Sequence, residues 1–439
     1  MSAAPLARLA RDQYLAGDED AATRSLVELI GDISSREVAG LAINRDVYSL
    51  NSLNGTVDLD GERFFFKFHA EEGEDDTIQE YYNAELLQAA GYPVDVPAIA
   101  NGEPGRQILL YRLRRDPRFS DLCRGLEVDR AAADTPQLRE AVQAQSDLDA
   151  VSFTRMRETL HAATIAELAA EPVNRLFRDR LFDPALDPDG TTVAGRVERF
   201  YRGKEHRLGG GDAAVLDDTA FFGARWVVNG VEYDRSVGEL FAEALAALIP
   251  ERYGPAAVIA HGDAHNANVW FERADEDGRA VLTQFDPAFA GRHVPALLAE
   301  VKTTFHNVFA HPFWLYEPAI ATERYTASVS FADGRLVVEH DHDLGVLRGA
   351  FLEAKAELVW RPLLADLRDR GMLPADWRRL VRLALMCCPT LVHELRAGGP
   401  TGHTPVSAAI GWSIAVAAGA EPVAGDDVFT EFFAAVSPE

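Results

Sequence analysis

Within positions 261–268, "HGDAHNAN" gathers two histidines, one aspartate and two asparagines. An apolar run leads in ("AAVIA", 256–260) and another leads out ("VWF", 269–271), so these side chains stand at a strand end. Three chemistries fit such a group. His261-x-Asp263-x-His265 has the spacing of a metal-hydrolase ligand set, but those enzymes also need an Asn-His pair, and the chain has no such dipeptide. A polar loop braced by structural histidines is the second. The third is phosphoryl transfer from a nucleotide. It needs a carboxylate to orient the attacking hydroxyl and accept its proton, and oxygen ligands for the magnesium that bridges the phosphates. Asp263 and Asn268 stand five positions apart and Asp286 follows across a hairpin. Only this third reading uses all three.

Composition narrows the partners. The chain has 439 residues, 47% hydrophobic and 26% charged, which suits a folded protein of two or three domains. Asp and Glu number 69 against 43 Lys and Arg, a formal net charge of −26. That field repels phosphate backbones and anionic lipid, so no nucleic-acid or membrane partner is expected. Three cysteines make neither a disulfide framework nor a four-ligand zinc site. With no apolar stretch near the N-terminus to act as a secretory signal, a cytoplasmic location is expected. Only four of the cations are lysine, so each lysine is worth locating.

The elements that must position the loop are legible in the periodicity. Residues 1 to about 43 read as helical, with apolar positions three and four apart in "AATRSLVELIGDI". "SLNSLNGTVDL" and "GERFFFKFH" then alternate with period two and meet at Asp60-Gly61, a hairpin turn signal. "DDTIQEYYNAELLQAAGY" is an amphipathic helix closed by a glycine with Pro93 just beyond. "QILLYRL" (107–113) is a further strand. From 120 to 250 the pattern is mostly helical. A second hairpin turns near Glu276-Asp277-Gly278 after the loop, and a third, "YTASVSFADGRLVVEHDHD", interrupts the helices beyond 295. The longest nearly apolar run, "VSAAIGWSIAVAAGA" (406–420), is too short to span a bilayer and reads as a buried helix. The class is α+β.

"HGDAHNANVWF…QFDPAFAGRHVPALLAEV" resembles the aminoglycoside phosphotransferase and choline kinase group of protein-kinase-like enzymes. Their signature is His-Gly-Asp-x-His-x-x-Asn, an apolar strand, then a strand-ending Asp. His261, Gly262, Asp263, His265 and Asn268 fill the loop. The resemblance spans about residues 45–115 and 255–310. It implies a bilobal fold with a small β-rich N-lobe and a large helical C-lobe carrying extra helical segments. The divisions would be a helical extension at 1–44, a nucleotide-binding lobe at 45–113 and a C-lobe at 114–439. It also implies Asp263 as catalytic base, Asn268 and Asp286 as magnesium ligands, and ATP as donor, with GTP left open. His261 and His265 would brace the loop.

The same resemblance assigns roles in the first lobe. Lys67, mid-strand in "FFFKFH", would hold the phosphates, on the face it shares with Phe65 and His69, while Phe64, Phe66 and Phe68 share the other. Aligning "AAGYPVDVP" puts Glu80 as its helix partner, with Glu85 the alternative. "NSLNG" (51–55) would be the phosphate loop, offering Ser52, Asn54 and the backbone N–H groups near Gly55. "QILLYRL" would bind adenine through its backbone.

The acceptor is read as a small-molecule hydroxyl, on an amino sugar, amino alcohol or similar metabolite. A protein-directed kinase or a nucleotide-binding module without turnover is the alternative. Glu300, His306 and Asn307 follow the metal aspartate and could face the acceptor. The aromatics of "GARWVVNGVEY" and "TTFHNVFAHPFWLYEP" read as core residues on helices, and Cys387-Cys388 as buried apolar residues.

Overall fold

The computed structural model describes residues 5–44, 52–69, 76–128, 135–211, 213–273 and 278–438, with backbone only at Ser52, His69 and 76–82. The chain divides into two compact units. One is Met1–Pro117 with Thr283–Ala288, the other Arg118–Leu282 with Phe289–Glu439.

The first unit opens with α1 (Leu6–Leu15) and α2 (Glu19–Ser34). Asp18 caps α2 by accepting the Ala21 N–H at 3.0 Å, and Ser35, at φ 54°, ends it. The reading of 1–44 as wholly helical is corrected here, because Val38–Ile43 is strand β1, paired antiparallel with β2 (Ser52–Leu59). Once the left-handed Ser35 has stopped the helix, Val38, Leu41 and Ile43 pack on the cluster of α1, α2 and the sheet.

β2 turns into β3 (Glu62–His69) through Asp60 and Gly61, both at positive φ (51° and 84°), as a two-residue hairpin demands. Helix α3 (Asp76–Ala89) stops at Gly91, φ 86°, and β4 (Ile99–Asn101) and β5 (Ile108–Arg112) complete a sheet ordered β1-β2-β3-β5-β4. Phe64, Phe66 and Phe68 are buried against Leu26, Leu29 and Ile30 of α2. Each such phenylalanine contributes about 1.5–3 kcal/mol by leaving water. Alternation then puts Lys67 on the opposite face, level with Asn54 on β2 and Leu109 on β5.

A second correction concerns the expected phosphate loop. Ser52, Asn54 and Gly55 lie within β2, and residues 45–51, among them Asn51 of the expected loop, are outside the described residues. Gly55 is needed for close packing: a Cβ there would come within 2.1 Å of the Ala42 carbonyl oxygen and 2.7 Å of the Phe66 ring.

In the second unit, the helices α4 (Phe119–Val128) and α5 (Pro136–Thr159) precede strand β6 (Ala256–Ala260). β6 lies between His161–Ala162 and β9 (Gly291–Pro295), antiparallel to both. β7 (Val269–Arg273) and β8 (Ala280–Gln284) form a two-stranded sheet, while the turn expected at 276–278 falls mostly outside the described residues. "RWVVNGVE" is not helical. Arg225–Val228 and Val231–Glu232 make a hairpin around Asn229 and Gly230 (φ 48° and 84°), so the buried Trp226 sits on a strand. That hairpin joins Ala327–Ala332 and Arg335–His340, whose turn is the expected Asp333-Gly334. Pro405–Gly419 is a helix buried on nearly all sides, and Cys387 and Cys388 are buried beside it in Trp377–Val392. No helix among the described residues is long and apolar enough to cross a membrane. The class is α+β.

Candidate active site

β6 delivers the loop, and Gly262 makes its turn possible. Its φ is 73°, and a Cβ there would meet the Phe289 carbonyl oxygen at 2.8 Å, so a side chain is excluded twice over. The bend leaves Asp263 buried, with its backbone N–H donated to Nδ1 of His261 at 3.3 Å. The Asp263 carbonyl accepts the N–H of His265 (2.9 Å) and the Asn268 side-chain amide (3.0 Å). His265 caps the turn Asn266–Asn268 by accepting the Ala267 N–H at its Nδ1. Both histidines therefore brace the loop. Among the described residues no three His, Cys, Asp or Glu side chains converge as a metal cage.

The Asp263 carboxylate has a partner that the motif does not reveal. Lys302 Nζ lies 2.8 Å from Oδ2, and both side chains are 8% exposed. Lys302 stands on α6 (Val301–Thr304), which runs directly into a π-helical turn, Phe305–Phe309. Its ammonium also lies 5.5 Å from the Phe289 ring centroid. Oδ1 of Asp263 is buried, accepts no hydrogen bond among the described residues and lies 3.4 Å from His265 Nε2. The lysine scarcity in the sequence was the available signal, but no local pattern paired Lys302 with Asp263.

The three residues suspected of facing an acceptor are otherwise engaged. Asn307 Oδ1 accepts the Asn266 N–H at 2.8 Å, and Glu300 binds the buried Lys355 at 2.6 Å, which also binds Asp149 at 2.7 Å. His306 Nδ1 is hydrogen-bonded to the Tyr316 hydroxyl, and its ring lies beside that of His265. Burial, then the neighbouring His265 and Lys302, hold His306 well below its ordinary range, and burial raises the Tyr316 hydroxyl. A neutral imidazole follows.

In the first unit, the segment after β8 brings Asp286 to Lys67. Gln284 donates to the Pro93 carbonyl (2.7 Å) and accepts from the Asp95 N–H (2.8 Å), which ties this segment beside 93–95. Asp286 follows in the left-handed region, φ 57°, a strained setting that Asp tolerates better than most residues. Its Oδ1 lies 2.8 Å from Lys67 Nζ, with the side chains 35% and 11% exposed. Asn83 of α3 secures the next residue by donating to the Pro287 carbonyl at 3.1 Å. Asn54, across from Lys67, holds Asn44 through its side-chain oxygen at 2.9 Å. Glu80 lies on α3 with its side chain outside the described residues, as does that of Ser52, and Glu85 is exposed.

Each unit by itself presents a side-chain oxygen of the kind magnesium takes. Asp286 is a partly exposed carboxylate, and Asn268, its amide nitrogen spent on the Asp263 carbonyl, retains a side-chain oxygen. Hard oxygen donors of this kind are the ligands that ion takes.

No protein-family model and no curated protein sequence matches the chain. Solved structures of low similarity do. An aminoglycoside phosphotransferase variant with ADP and hygromycin B bound is 11% identical over 88% of this chain and 96% of its own, at a TM-score of 0.44. A glucosamine kinase is 17% identical over 88% and 82%, at 0.40. An ethanolamine kinase from Plasmodium vivax is 7% identical over 96% and 89%, at 0.36. At these values none of them transfers a substrate or a residue role, so function is read from this chain's own residues.

Proposed function

We propose that this chain is an ATP- and magnesium-dependent phosphotransferase of the aminoglycoside phosphotransferase and choline kinase type, acting on a hydroxyl of a small molecule. The observation that carries the proposal is the Lys67–Asp286 pair. A lysine on a strand and a strand-ending aspartate 219 positions later meet at 2.8 Å within one compact unit. Phosphoryl transfer needs this combination, a cation for the phosphates beside a carboxylate for the metal.

Asp263 orients the acceptor hydroxyl and takes its proton, with Oδ1 as the oxygen that accepts no hydrogen bond among the described residues. Lys67 binds the phosphates, and Asn54 stands on the same sheet face beside it. Asn268 of the second unit and Asp286 of the first would each offer magnesium a side-chain oxygen, and the chemistry it would supply when bound is neutralisation of charge on the phosphate oxygens. Gly55 serves the strand packing, with its N–H a backbone candidate only. The neutral His306 and the Tyr316 hydroxyl add no charge beside His265, which suits an uncharged hydroxyl as nucleophile.

A small acceptor follows from chain economy. After Asp286 come only Pro287 to Ala290 before β9, and helix α6 starts at Val301, too short a stretch for an extended-peptide platform. The test is incubation with ATP, magnesium and a metabolite extract, read by mass gain of one phosphate, beside a dialysed protein extract with labelled ATP. Phosphate on small molecules, absent with Asp263→Asn, supports the reading. Label on protein bands alone, or no transfer in either extract, overturns it.

A further inference from the structure

We infer that Lys302 is a positioning residue of the transfer reaction, one that fixes which oxygen of Asp263 acts as the base. The inference rests on the proposed function and adds a residue from outside the loop motif. A carboxylate has two chemically equivalent oxygens, and rotation about its terminal bond exchanges them. Here the plane of the carboxylate is held, so that one oxygen faces the lysine and the other stays available. Lys302 Nζ holds Oδ2 at 2.8 Å in a buried setting, and turning the carboxylate would break that charge-assisted bond. Oδ1 is buried and accepts no hydrogen bond among the described residues, its nearest polar neighbour being His265 Nε2 at 3.4 Å.

The anchor is itself anchored. Glu300, two residues before Lys302, is tied to Lys355 at 2.6 Å, and Asn307, five residues after it, holds the Asn266 N–H at 2.8 Å. The stretch 300–307 therefore clamps the catalytic loop at two points, through the Asp263 carboxylate and through the backbone of Asn266. A base held in one orientation spends no free energy on finding it during the reaction.

The step balances without consuming anything from Lys302. The acceptor O–H gives its proton to Asp263 Oδ1, and the oxygen forms a bond to the γ-phosphorus. The bond from that phosphorus to the bridging oxygen breaks, ADP leaves with the electron pair, and Asp263 later releases its proton to solvent. Lys302 keeps its ammonium protons throughout.

The experiment places Lys302→Met and Lys302→Arg in the wild-type background and Lys302→Met in Asp263→Asn. It measures kcat with an acceptor found by the metabolite screen, and ATP affinity by calorimetry. Lys302→Met is expected to lower kcat by about 10²-fold with ATP affinity within about twofold, the signature of a misplaced group and not of lost binding. Lys302→Arg, which keeps the cation, should retain more of kcat. In Asp263→Asn the same Lys302→Met change should cost nothing further, since the residue acts through Asp263. That double variant buries neither charge, so it decides the question even if Lys302→Met alone does not fold.

A wild-type kcat in Lys302→Met overturns the inference. So does a further loss of tenfold or more in the double variant, or a fall in ATP affinity matching the fall in kcat, either of which would put Lys302 on the phosphates. An inactive wild type sinks the proposed function and this inference with it. An active wild type with an indifferent Lys302 sinks this inference alone.

Discussion

Two lysine–aspartate pairs in this chain have the same 2.8 Å separation, one in each compact unit. Lys67 and Asp286 are drawn together by a strand and a strained turn, and the aspartate is about one-third exposed. Lys302 and Asp263 are both nearly sealed from water. Distance alone would rank them equal, but solvent does not. Water screens the first pair, so its net worth falls in the range of about 0–1 kcal/mol and either partner can exchange the other for a phosphate or a metal ion. Around the second pair the medium is poorly polarisable, and a lone charge left there costs several times more. The first pair suits a site that opens to ligand, the second a part that must not move.

The largest expected effect comes from removing the base. Asp263→Asn should cut turnover by about 10²–10⁴ while ATP still binds, as followed by steady-state kinetics and calorimetry. Asp286→Ala should also abolish turnover, but by a different route, losing the magnesium-dependent part of nucleotide affinity. Titrations of both variants with and without magnesium separate the two pairs. An Asp286→Ala protein whose ATP affinity still responds fully to magnesium would take Asp286 out of the metal site.

Stability should divide the lysines the same way. Lys302→Met strands a buried carboxylate and is expected to cost about 3–5 kcal/mol in denaturant melts. Lys67→Met should cost about 0–1 kcal/mol in the same assay. Equal losses would mean that the two environments do not differ as the exposures indicate.

The most buried lysine sharpens the contrast. Lys355 and Asp149 are 2% and 1% exposed, and Glu300 shares the same ammonium. Burial is the largest influence on Asp149 and, against the pull of Lys355, raises its carboxyl from the ordinary 3.8 to about 6. Between about pH 4 and 6 folded Asp149 therefore keeps a proton that the unfolded chain releases, and stability falls as pH rises through that window. The contribution is fully present below pH 4 and spent above pH 6. Relative to Asp149→Asn, the wild type should lose about 2–3 kcal/mol between pH 4 and 6 and little beyond. A flat difference across that range would mean that Asp149 stays ionised in the folded state.

What was legible in the sequence was local. Asp60-Gly61 and Asp333-Gly334 announce hairpins because both residues of such a turn need positive φ, and both pairs have it. His261 to Asn268 could be read because its bracing bonds run between near neighbours. Strand β1 was hidden because α2 ends at Ser35, a left-handed residue that is not glycine. Asn229-Gly230 carried the same hairpin signal as the other turns, but lay in a stretch whose aromatics suggested helix. Ser52 to Gly55 lie in the strand that their period-two alternation indicated, while the resemblance made them a phosphate loop, and Gly55 makes room for the Phe66 ring. The pairing of Lys302 with Asp263 could not be read, since the two lie 39 positions apart and only folding makes them neighbours.

The smallest effect expected concerns what holds Lys67 once its aspartate turns to metal. In the proposed reaction Asp286 serves magnesium, so Lys67 needs a second anion to keep its ammonium aimed at the phosphates. The family resemblance supplies Glu80 on α3, the helix that follows β3, and names Glu85 as the alternative. Glu85 is exposed, where water would screen most of its attraction for a lysine. The resemblance therefore puts Glu80 to the test first. A double-mutant cycle of Lys67→Met with Glu80→Gln, read as ATP affinity, should show coupling of about 0.5–1 kcal/mol. The parallel cycle with Glu85→Gln should be additive within about 0.3–0.5 kcal/mol. Coupling at Glu85 and additivity at Glu80 would transfer the role one helical turn along α3. Additivity in both cycles would leave Asp286 as the one carboxylate that steadies Lys67, and the first pair would then have to stay closed while nucleotide binds.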